Sequence, residues 1–281
     1  MFVYVGIKNA VVALDDRTGA EIWRTQLHGS DYVTMLWDGE ALFAANSGEV
    51  WRLDPQSSGN RGGSLASGEY EPFQGERMST DQAPTTSRRC DGVIAHHSLL
   101  QHPFYVAWSE GTLPVAALSD YAREYGAFVD TIAQGWDIVG SPEIARVEEE
   151  HADIWDKTFA AGLGTSVTSP QIEQVAKLVE ISRELFAERA TALGGLYGFE
   201  AQQPQTAQSK LKGLREHYPQ LPQSCGEYFN LHRHDYHEPS LLAAEIDSLG
   251  DVDRERALGA CERMCRGLYD ALTGIHTSYV H

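Results

Sequence analysis

The first fifty residues alternate between hydrophobic and polar positions with the two-residue period of a β-strand. Turn signals rich in Asp, Asn and Gly separate the alternating stretches. The pattern predicts a small antiparallel β-meander over residues 1–54. Its strands are expected at residues 2–6, 10–14, 21–24, 41–44 and 49–53.

Helical periodicity begins near residue 93, where apolar residues such as Phe104 and Trp108 recur three and four positions apart. Prolines and glycines divide the remaining chain into segments, and the Gly194–Gly195 pair is expected to separate two helices. The sequence therefore predicts an all-α bundle of about seven helices over residues 93–281. Long helices are expected at 142–163, 170–193, 195–217, 225–237, 240–249 and 252–273.

Residues 55–92 lie between the two patterns and have the composition of a flexible linker. They are rich in Gly, Ser and Thr and lack apolar periodicity. Met78 lies inside this stretch, and a chain starting there would have the length of an ordinary domain. We therefore expect a β segment at 1–54, a linker at 55–92 and a helical domain at 93–281.

The β segment contains the stretch VVALDDRTGAEIWRTQL and a partial echo, GEVWRLDPQSSG. Both resemble the repeat of quinoprotein-type β-propellers, in which Ala-Leu-Asp, Thr-Gly and Trp recur once per blade. About one and a half blades are present, which is too few to close a ring or to bind a quinone. The segment is expected to pack on the rest of the chain or on a partner, or to be a fragment without a function of its own.

Charge and hydropathy limit the partners of the chain. Forty Asp and Glu residues against 22 Lys and Arg give a net charge of −18, which repels nucleic acids and anionic lipids, and no basic patch offsets it. No apolar run approaches the length of a membrane span, and the N-terminus lacks a signal-peptide pattern. We expect a cytoplasmic protein that binds neither nucleic acid nor membrane. Its four cysteines include no C-x-x-C pair, so disulfides and a zinc knuckle are not expected.

Three helical segments carry carboxylates and histidines in unusual density. Glu148 and His151 are three residues apart and share a helix face, as two metal ligands on one helix must, although a Glu-rich helix is also typical of a solvated surface. Glu200 follows apolar and small residues, and a buried carboxylate is costly unless it is paired or bound to metal. Residues 232–238 contain three histidines and two acids. Imidazole with carboxylate suits non-haem iron or manganese.

Between residues 96 and 273 the chain contains, in order, HPFYVAWSEGTLP, YAREYGAFV, EEEHADIWDKTFAAGLG, ALGGLYGFEAQQPQTAQSKLKGLREHY and YFNLH. These motifs resemble the haem-oxygenase-like di-iron oxidase and oxygenase superfamily, the metal-binding branch of the TenA/PqqC fold. The nearest pattern is that of the branch that forms para-aminobenzoate and associates with death domains. The resemblance implies a seven-helix bundle, a di-iron site with two Fe(II) ions held by carboxylates and histidines, and O2 as co-substrate.

The resemblance also implies which residues bind the first metal. Glu148 and His151 have the Glu-x-x-His spacing of a fatty acid decarboxylase of the superfamily, and Ile144 stands where the para-aminobenzoate-forming branch has its glutamate. Glu200 matches the bridging carboxylate, and His232 matches the first histidine of the last ligand helix. These residues are the expected ligands of the primary iron.

The chain departs from the family pattern after His232. The superfamily usually continues with Asp four and His seven residues later, but Tyr236 and Pro239 stand at these positions. We expect an irregular helix, because a residue that precedes proline is displaced from the α region. Asp235 and His237 are the expected substitutes, and the second iron is expected to be labile. The further candidates are His234 and Glu238.

Two more residues match positions that take part in the chemistry of the para-aminobenzoate-forming branch. Tyr105 matches a tyrosine that is consumed as the aromatic precursor, and Lys210 matches the lysine thought to supply the nitrogen. From the pattern alone, a tyrosine in an apolar helix is typical of the core and a lysine on a polar helix face is typical of the surface.

The leading hypothesis is an O2-dependent di-iron oxidase or oxygenase, expected to be a homodimer, that acts on a small amine- or carboxylate-bearing substrate of the amino acid or fatty acid class. One alternative is self-sacrificing para-aminobenzoate synthesis with Tyr105 and Lys210. Another is a metal-free TenA-like hydrolase, which needs a cysteine in the middle helices, although none occurs between Cys90 and Cys225. The last is a protein-interaction module.

Overall fold

The computed structural model describes residues 2–7, 10–26, 33–37, 42–46, 49–53 and 84–279. The chain divides into two compact units, Met1–Gln82 and Ala83–His281. The described part contains no helix with the length and apolar character that crossing a membrane requires.

The first unit contains two three-stranded antiparallel sheets in which consecutive strands pair, which confirms the predicted β-meander. One strand, β4, was not among the predicted strands, because four residues are too few to show a clear alternation. The strands are β1 (Phe2–Ile7), β2 (Ala10–Asp15), β3 (Glu21–Gln26), β4 (Thr34–Trp37), β5 (Leu42–Asn46) and β6 (Glu49–Leu53).

A small core joins the two sheets. Val11, Ala13 and Trp23 come from the first sheet, and they belong to the same buried cluster as Leu42 and Ala44 of the second. In β2 the four consecutive residues Ala10–Ala13 are buried, so both faces of this central strand are covered.

The second unit is helical, as predicted. Its helices are α1 (Thr86–His96), α2 (Pro103–Glu110), α3 (Val115–Asp120), α4 (Gly126–Val129), α5 (Ile132–Val139), α6 (Pro142–Ile154), α7 (Glu173–Leu185), α8 (Arg189–Glu200), α9 (Gln203–His217), α10 (Glu227–His232), α11 (His237–Ser248) and α12 (Asp251–Thr277). Two π-helical segments, Tyr121–Tyr125 and Trp155–Ala160, continue α3 and α6. Such segments re-aim side chains within a helix and are frequent at functional sites.

Helix α1 begins at Thr86, inside the range predicted to be a linker. The Thr85 hydroxyl caps the helix by accepting a hydrogen bond from the backbone N–H of Arg88. The Ser87 hydroxyl donates to Asp247 at 2.6 Å, and Cys90 is fully buried. These tertiary contacts order a segment whose sequence has little apolar periodicity. Residues 55–83 of the predicted linker lie outside the described part of the chain.

Helix α8 runs through Gly194 and Gly195 without a break, contrary to the prediction. A Cβ atom at Gly194 would lie 1.9 Å from the backbone oxygen of Ala257 in α12. The glycines therefore allow two helices to approach closely. The sequence pattern does not distinguish this use of glycine from helix termination.

An aromatic core fills the centre of the helical unit. Trp108 of α2 stacks on Phe159 with 6.0 Å between ring centroids. Phe159 contacts Trp155 and Phe229 edge-on, both at 5.0 Å. The rings of α2, the second π-helical segment and α10 thus form a rigid support on one side of the candidate site described below.

The predicted helix at 225–237 is two helices. Helix α10 ends at His232, and α11 starts at His237 with Pro239 in its first turn. Glu238 is therefore helical despite preceding a proline, because the first turn of a helix tolerates the missing N–H. The Asp235 carboxylate caps α11 by accepting hydrogen bonds from the backbone N–H groups of His237 and Glu238.

Candidate metal centre

Helices α6 and α10 bring Glu148, His151 and His232 together. One potential ligand atom from each residue lies within 4.8 Å of those of the other two. His151 Nδ1 lies 2.8 Å from Glu148 Oε1, and the rings of His151 and His232 are 4.7 Å apart. The structure thus groups three of the four residues that sequence comparison assigns to the primary iron.

His232 is oriented for binding through one ring nitrogen. Its Nδ1–H donates to the backbone oxygen of Tyr228 at 2.9 Å, which leaves Nε2 with the free lone pair. Nε2 is buried and has no hydrogen-bond partner among the described residues. Burial lowers the pKa of His232, which favours the neutral form that binds metals. Tyr228, which precedes His232 in the YFNLH motif, fixes the ring through its backbone oxygen.

Glu200 at the end of α8 is the fourth predicted ligand. It is 2% exposed, and its Oε1 atom has no hydrogen-bond partner among the described residues. Burial raises its pKa well above the usual value, and the negative charges of Glu238 and Glu148 raise it further. A buried carboxylate that faces two others is stabilised by a cation between them.

Glu238 takes the position that the sequence analysis gave to His237. The His237 side chain is exposed, whereas Glu238 is 7% exposed. Burial raises the pKa of Glu238 to about 8, and Glu148 and Asp235 add to the shift. Asp235 caps α11, as described above, and its charge also raises the pKa of Glu200. The predicted substitute ligand His237 lies on the exposed side of α11, because the helix begins at this residue and buries the next one.

The donor set fits a pair of transition-metal ions. Two of its atoms, His232 Nε2 and Glu200 Oε1, are buried without partners, which is costly in a protein interior unless a further group binds there. Two imidazoles and several carboxylates suit ferrous iron or manganese, and thiolates, which favour zinc, are absent from this group.

A cavity of about 420 Å³ reaches Glu148 from the acidic side of α6. Asp130 and Glu149 contribute to its walls, together with Asp153 and Asp156. Burial and the charges of Asp156 and Asp153 raise the pKa of Asp130. The candidate centre is therefore close to solvent on this side.

Tyr105 and Lys210 lie side by side, enclosed by the buried rings of Tyr121 and Phe229, and we call this group of four side chains the chamber. Lys210 Nζ is 5.1 Å from the ring centroid of Tyr105, 5.6 Å from that of Tyr121 and 5.0 Å from that of Phe229. Tyr105 is 2% and Lys210 3% exposed, so the expectation of a solvated lysine does not hold. Burial lowers the pKa of Lys210 to about 7.

The hydroxyl groups of Tyr105 and Tyr121 are 3.3 Å apart and form a hydrogen bond. Burial raises the pKa of both phenols, so both remain protonated near neutral pH. Tyr121 was not among the predicted site residues. Its position in YAREYGAFV gave no signal, because it faces Tyr105 only through the π-helical turn that follows α3.

The four cysteines are free and buried, and none belongs to the group around Glu148. Cys90, Cys261 and Cys265 lie at the contact of α1 and α12, where Cys265 Sγ is 3.6 Å from the backbone oxygen of Gly198. This placement offers no support for a TenA-like hydrolase centred on a thiol.

Solved structures identify the fold. A TenA homologue from Pseudomonas syringae matches with a TM-score of 0.54 and 12% identity, covering 68% of this chain and 91% of that one. A CADD-like protein of unknown function from Nostoc punctiforme matches with a TM-score of 0.51 and 16% identity, covering 70% and 96%. The helical unit therefore has the fold of the TenA-like, haem-oxygenase-like proteins.

Sequence relatives identify the family within this fold. A 4-aminobenzoate synthase from Nitrosomonas europaea is 29% identical over 230 residues, covering 69% of this chain and 92% of the relative. One from Chlamydia pneumoniae is 30% identical over 164 residues, covering 51% and 72%. This chain belongs to the 4-aminobenzoate synthase family, a family of enzymes. No family model matches the chain, so the propeller-like motifs of the β segment gain no support.

Proposed function

We propose that this protein makes 4-aminobenzoate from its own Tyr105, with nitrogen from Lys210, in an O2-dependent reaction at a di-iron centre. The observation that carries the proposal is the 5.1 Å distance between Lys210 Nζ and the Tyr105 ring centroid inside a closed chamber. The names of the relatives support the product. An enclosed tyrosine needs no entry route for an aromatic substrate.

The atoms of a tyrosine side chain account for most of the product. The phenol ring already carries para substituents, a hydroxyl group and the Cβ atom. Formation of 4-aminobenzoate requires cleavage of the Cα–Cβ bond, oxidation of Cβ to a carboxylate and replacement of the phenol oxygen by nitrogen. The phenol oxygen leaves as water, and transfer of the nitrogen breaks the Lys210 Cε–Nζ bond, with Cε oxidised by two electrons and hydrolysed to an aldehyde. O2 is the oxidant for Cβ and Cε, external reducing equivalents complete its reduction to water, and the Lys210 amine lies on the face of the ring that must be aminated.

Glu148, His151, His232, Glu200 and Glu238 would hold the two ions. When bound, the iron pair supplies the reduction of O2, which no protein side chain can carry out alone. The predicted lability of the second ion agrees with this ligand set, because both histidines lie in the first group and the second ion depends on carboxylates.

The chamber prepares Lys210 and Tyr105 for their roles. The lowered pKa of Lys210, about 7, leaves a large part of the amine uncharged near neutral pH, and only an uncharged amine has the lone pair needed to form a C–N bond. The rings of Phe229 and Tyr121 surround the amine and exclude water. The Tyr121 hydroxyl orients the phenol that is to be replaced.

Mass spectrometry of the protein itself tests the proposal. Protein loaded with Fe(II) and incubated with O2 and a reductant should release at most one 4-aminobenzoate per chain, and peptides that contain residue 105 should lose the mass of the tyrosine side chain. With ¹⁵N-lysine in the protein, the product should carry ¹⁵N. Tyr105→Phe and Lys210→Met should abolish the product, whereas the matched core variant Tyr125→Phe should retain it.

The same experiment separates this reaction from oxidation of an external substrate. Many turnovers per chain with Tyr105 intact would contradict self-consumption and favour a di-iron oxygenase that acts on a free amino acid or fatty acid. Product without ¹⁵N would contradict only the role of Lys210 as nitrogen donor and would leave the consumption of Tyr105 unaffected.

A further inference from the structure

A cavity bordered by described residues lies outside the chamber of Tyr105 and Lys210. It has a volume of about 720 Å³ and is formed by α9, α10 and the loop that joins them. Leu211 and Leu214 of α9 form an apolar wall with Tyr218, which directly follows the helix, and Pro222 and Cys225 continue it in the loop. A cavity of this size accommodates a small molecule.

The apolar wall is rigid. The Tyr218 hydroxyl donates to the backbone oxygen of Leu113 at 2.8 Å, which fixes the ring and leaves its face as an apolar surface. A Cβ atom at Gly226 would lie 3.1 Å from Leu211 Cδ2, so α9 and the start of α10 are in close contact at the base of the cavity. These contacts give a preformed surface suited to a flat ring.

Three polar side chains, Arg215, Glu227 and Asn230, line the same cavity. Within the part of the chain that the structure describes, none of them has a side-chain hydrogen bond or ion pair. An apolar surface with a few free polar groups is typical of a ligand site. The guanidinium suits a carboxylate, for which it forms paired hydrogen bonds, and the Glu227 carboxylate suits an N–H donor.

The cavity and the chamber are formed by the same two helices. Lys210 points from α9 into the chamber, whereas the next residue, Leu211, lines the cavity. Phe229 of α10 faces Lys210, whereas Asn230 and Leu231 face the cavity. One layer of helix therefore separates the place where an aromatic product would form from a site that suits it.

We infer that this cavity binds a small aromatic carboxylate, with the ring on the wall of Leu214 and Tyr218, the carboxylate on Arg215 and an amino substituent at Glu227. The inference rests on the proposed function for its ligand, since 4-aminobenzoate has these three features. The site would hold the product after its release from the chamber, apart from the metal centre.

Equilibrium dialysis of 4-aminobenzoate against the full-length, metal-free Tyr105→Phe protein tests the site without any turnover. Saturable binding with a Kd of about 1 mM or tighter is expected. Arg215→Ala should weaken binding about tenfold, because it leaves the carboxylate unpaired, and the uncharged methyl ester should bind equally weakly to both proteins. Arg183→Ala, an exposed arginine on α7, is the matched control and should change nothing.

A second variant tests whether the ligand binds on the apolar wall. Leu214→Trp fills the cavity and should abolish binding, with the melting temperature reporting whether the fold is kept. Absence of saturable binding, or equal affinity in the Arg215→Ala and Arg183→Ala proteins, would overturn the inference. The proposed function is judged separately by the fate of residue 105: if Tyr105 remains intact while the dialysis result is positive, the self-consuming reaction fails and the aromatic-carboxylate site stands.

Discussion

At the scale of single residues, the burial of Lys210 lowers the free energy of unfolding at neutral pH. Its pKa is about 7 in the folded protein and 10.5 in an unfolded chain. Below pH 7 both states bind the proton and the folded state bears the full penalty of burying the charge. Between pH 7 and 10.5 only the unfolded state binds it, so the free energy of unfolding rises with pH.

Lys210→Met should therefore stabilise the metal-free protein at pH 7, by up to about 5 kcal/mol if the whole shift is expressed. The difference between variant and wild type should shrink as the pH rises and vanish near pH 10.5. Urea titrations of both proteins at several pH values measure it. Lys212→Met, at an exposed position of the same helix, should show no such trend. A pH-independent difference would mean that Lys210 is not buried as a neutral amine.

Glu200 is a second residue whose place is explained by function. Its burial among other carboxylates does not favour folding, so Glu200→Gln should not lower the melting temperature of the metal-free protein. The same change removes a candidate ligand, and bound iron should fall from about two ions per chain to less than one. Glu149→Gln, at an exposed neighbour of Glu148, should keep both ions. Full iron occupancy in Glu200→Gln would contradict the di-iron centre.

The residues of the candidate site were predictable where a helix carries them at fixed spacing. Glu148 and His151 share a face because any regular helix places residues three apart together. Glu238 was not predictable in the same way, because its direction depends on where α10 ends and α11 begins. Tyr121 depends on a π-helical turn, and sequence periodicity does not report such a turn.

At the scale of secondary-structure elements, the packing of α8 on α12 decides where Glu200 lies. Gly194 is the closest point of this contact, and a methyl group there would overlap the backbone oxygen of Ala257, which cannot rotate away. The predicted break at the Gly194–Gly195 pair came from treating glycine as a local signal. The reason for a glycine at position 194 is its contact with α12, about sixty residues away in the sequence. A local pattern does not contain such a contact.

Gly194→Ala should therefore lower the free energy of unfolding by about 3 kcal/mol, as overpacking against a fixed backbone does. Gly259→Ala in α12 provides the opposite case, because nothing lies within 4 Å of its added Cβ. It should raise stability by about 0.5–1 kcal/mol through helix propensity alone. Denaturant melts of both variants measure these changes in the free energy of unfolding. A stabilising Gly194→Ala would show that α8 and α12 do not pack so closely.

At the scale of the whole molecule, the two units have separate cores. The buried cluster of the helical unit runs from Cys90 to Ile275 and contains no residue of the strands, whose own cluster includes Val11 and Trp23. A chain that begins at Met78 should then unfold in one cooperative transition and keep its iron. Calorimetry and metal analysis of this chain test the expectation. A broad, non-cooperative melt would show that the strands complete the helical core.

A protein that consumes Tyr105 also removes part of its own core. The Tyr105 ring packs against Phe104 and Trp108, at 5.8 and 6.4 Å between centroids, and is almost fully buried. Cleavage of its Cα–Cβ bond would leave a ring-sized cavity in the aromatic core, and cavities of this kind cost about 3–5 kcal/mol. Loss of the ring should therefore lower the stability of the spent chain, whereas loss of the buried Lys210 amine should raise it at neutral pH.

The double variant Tyr105→Ala, Lys210→Met is a stable mimic of the spent chain, which has lost both the ring and the amine, and Tyr105→Phe, Lys210→Met is its control because it keeps the ring. The alanine double variant should melt at the temperature of reacted protein and below the phenylalanine double variant, which lacks only the amine and the hydrogen bond to Tyr121. Differential scanning calorimetry of both variants and of protein before and after incubation with iron, O2 and reductant provides the comparison. If reacted protein melts with the phenylalanine double variant or with the fresh chain instead of the alanine double variant, residue 105 has kept its ring.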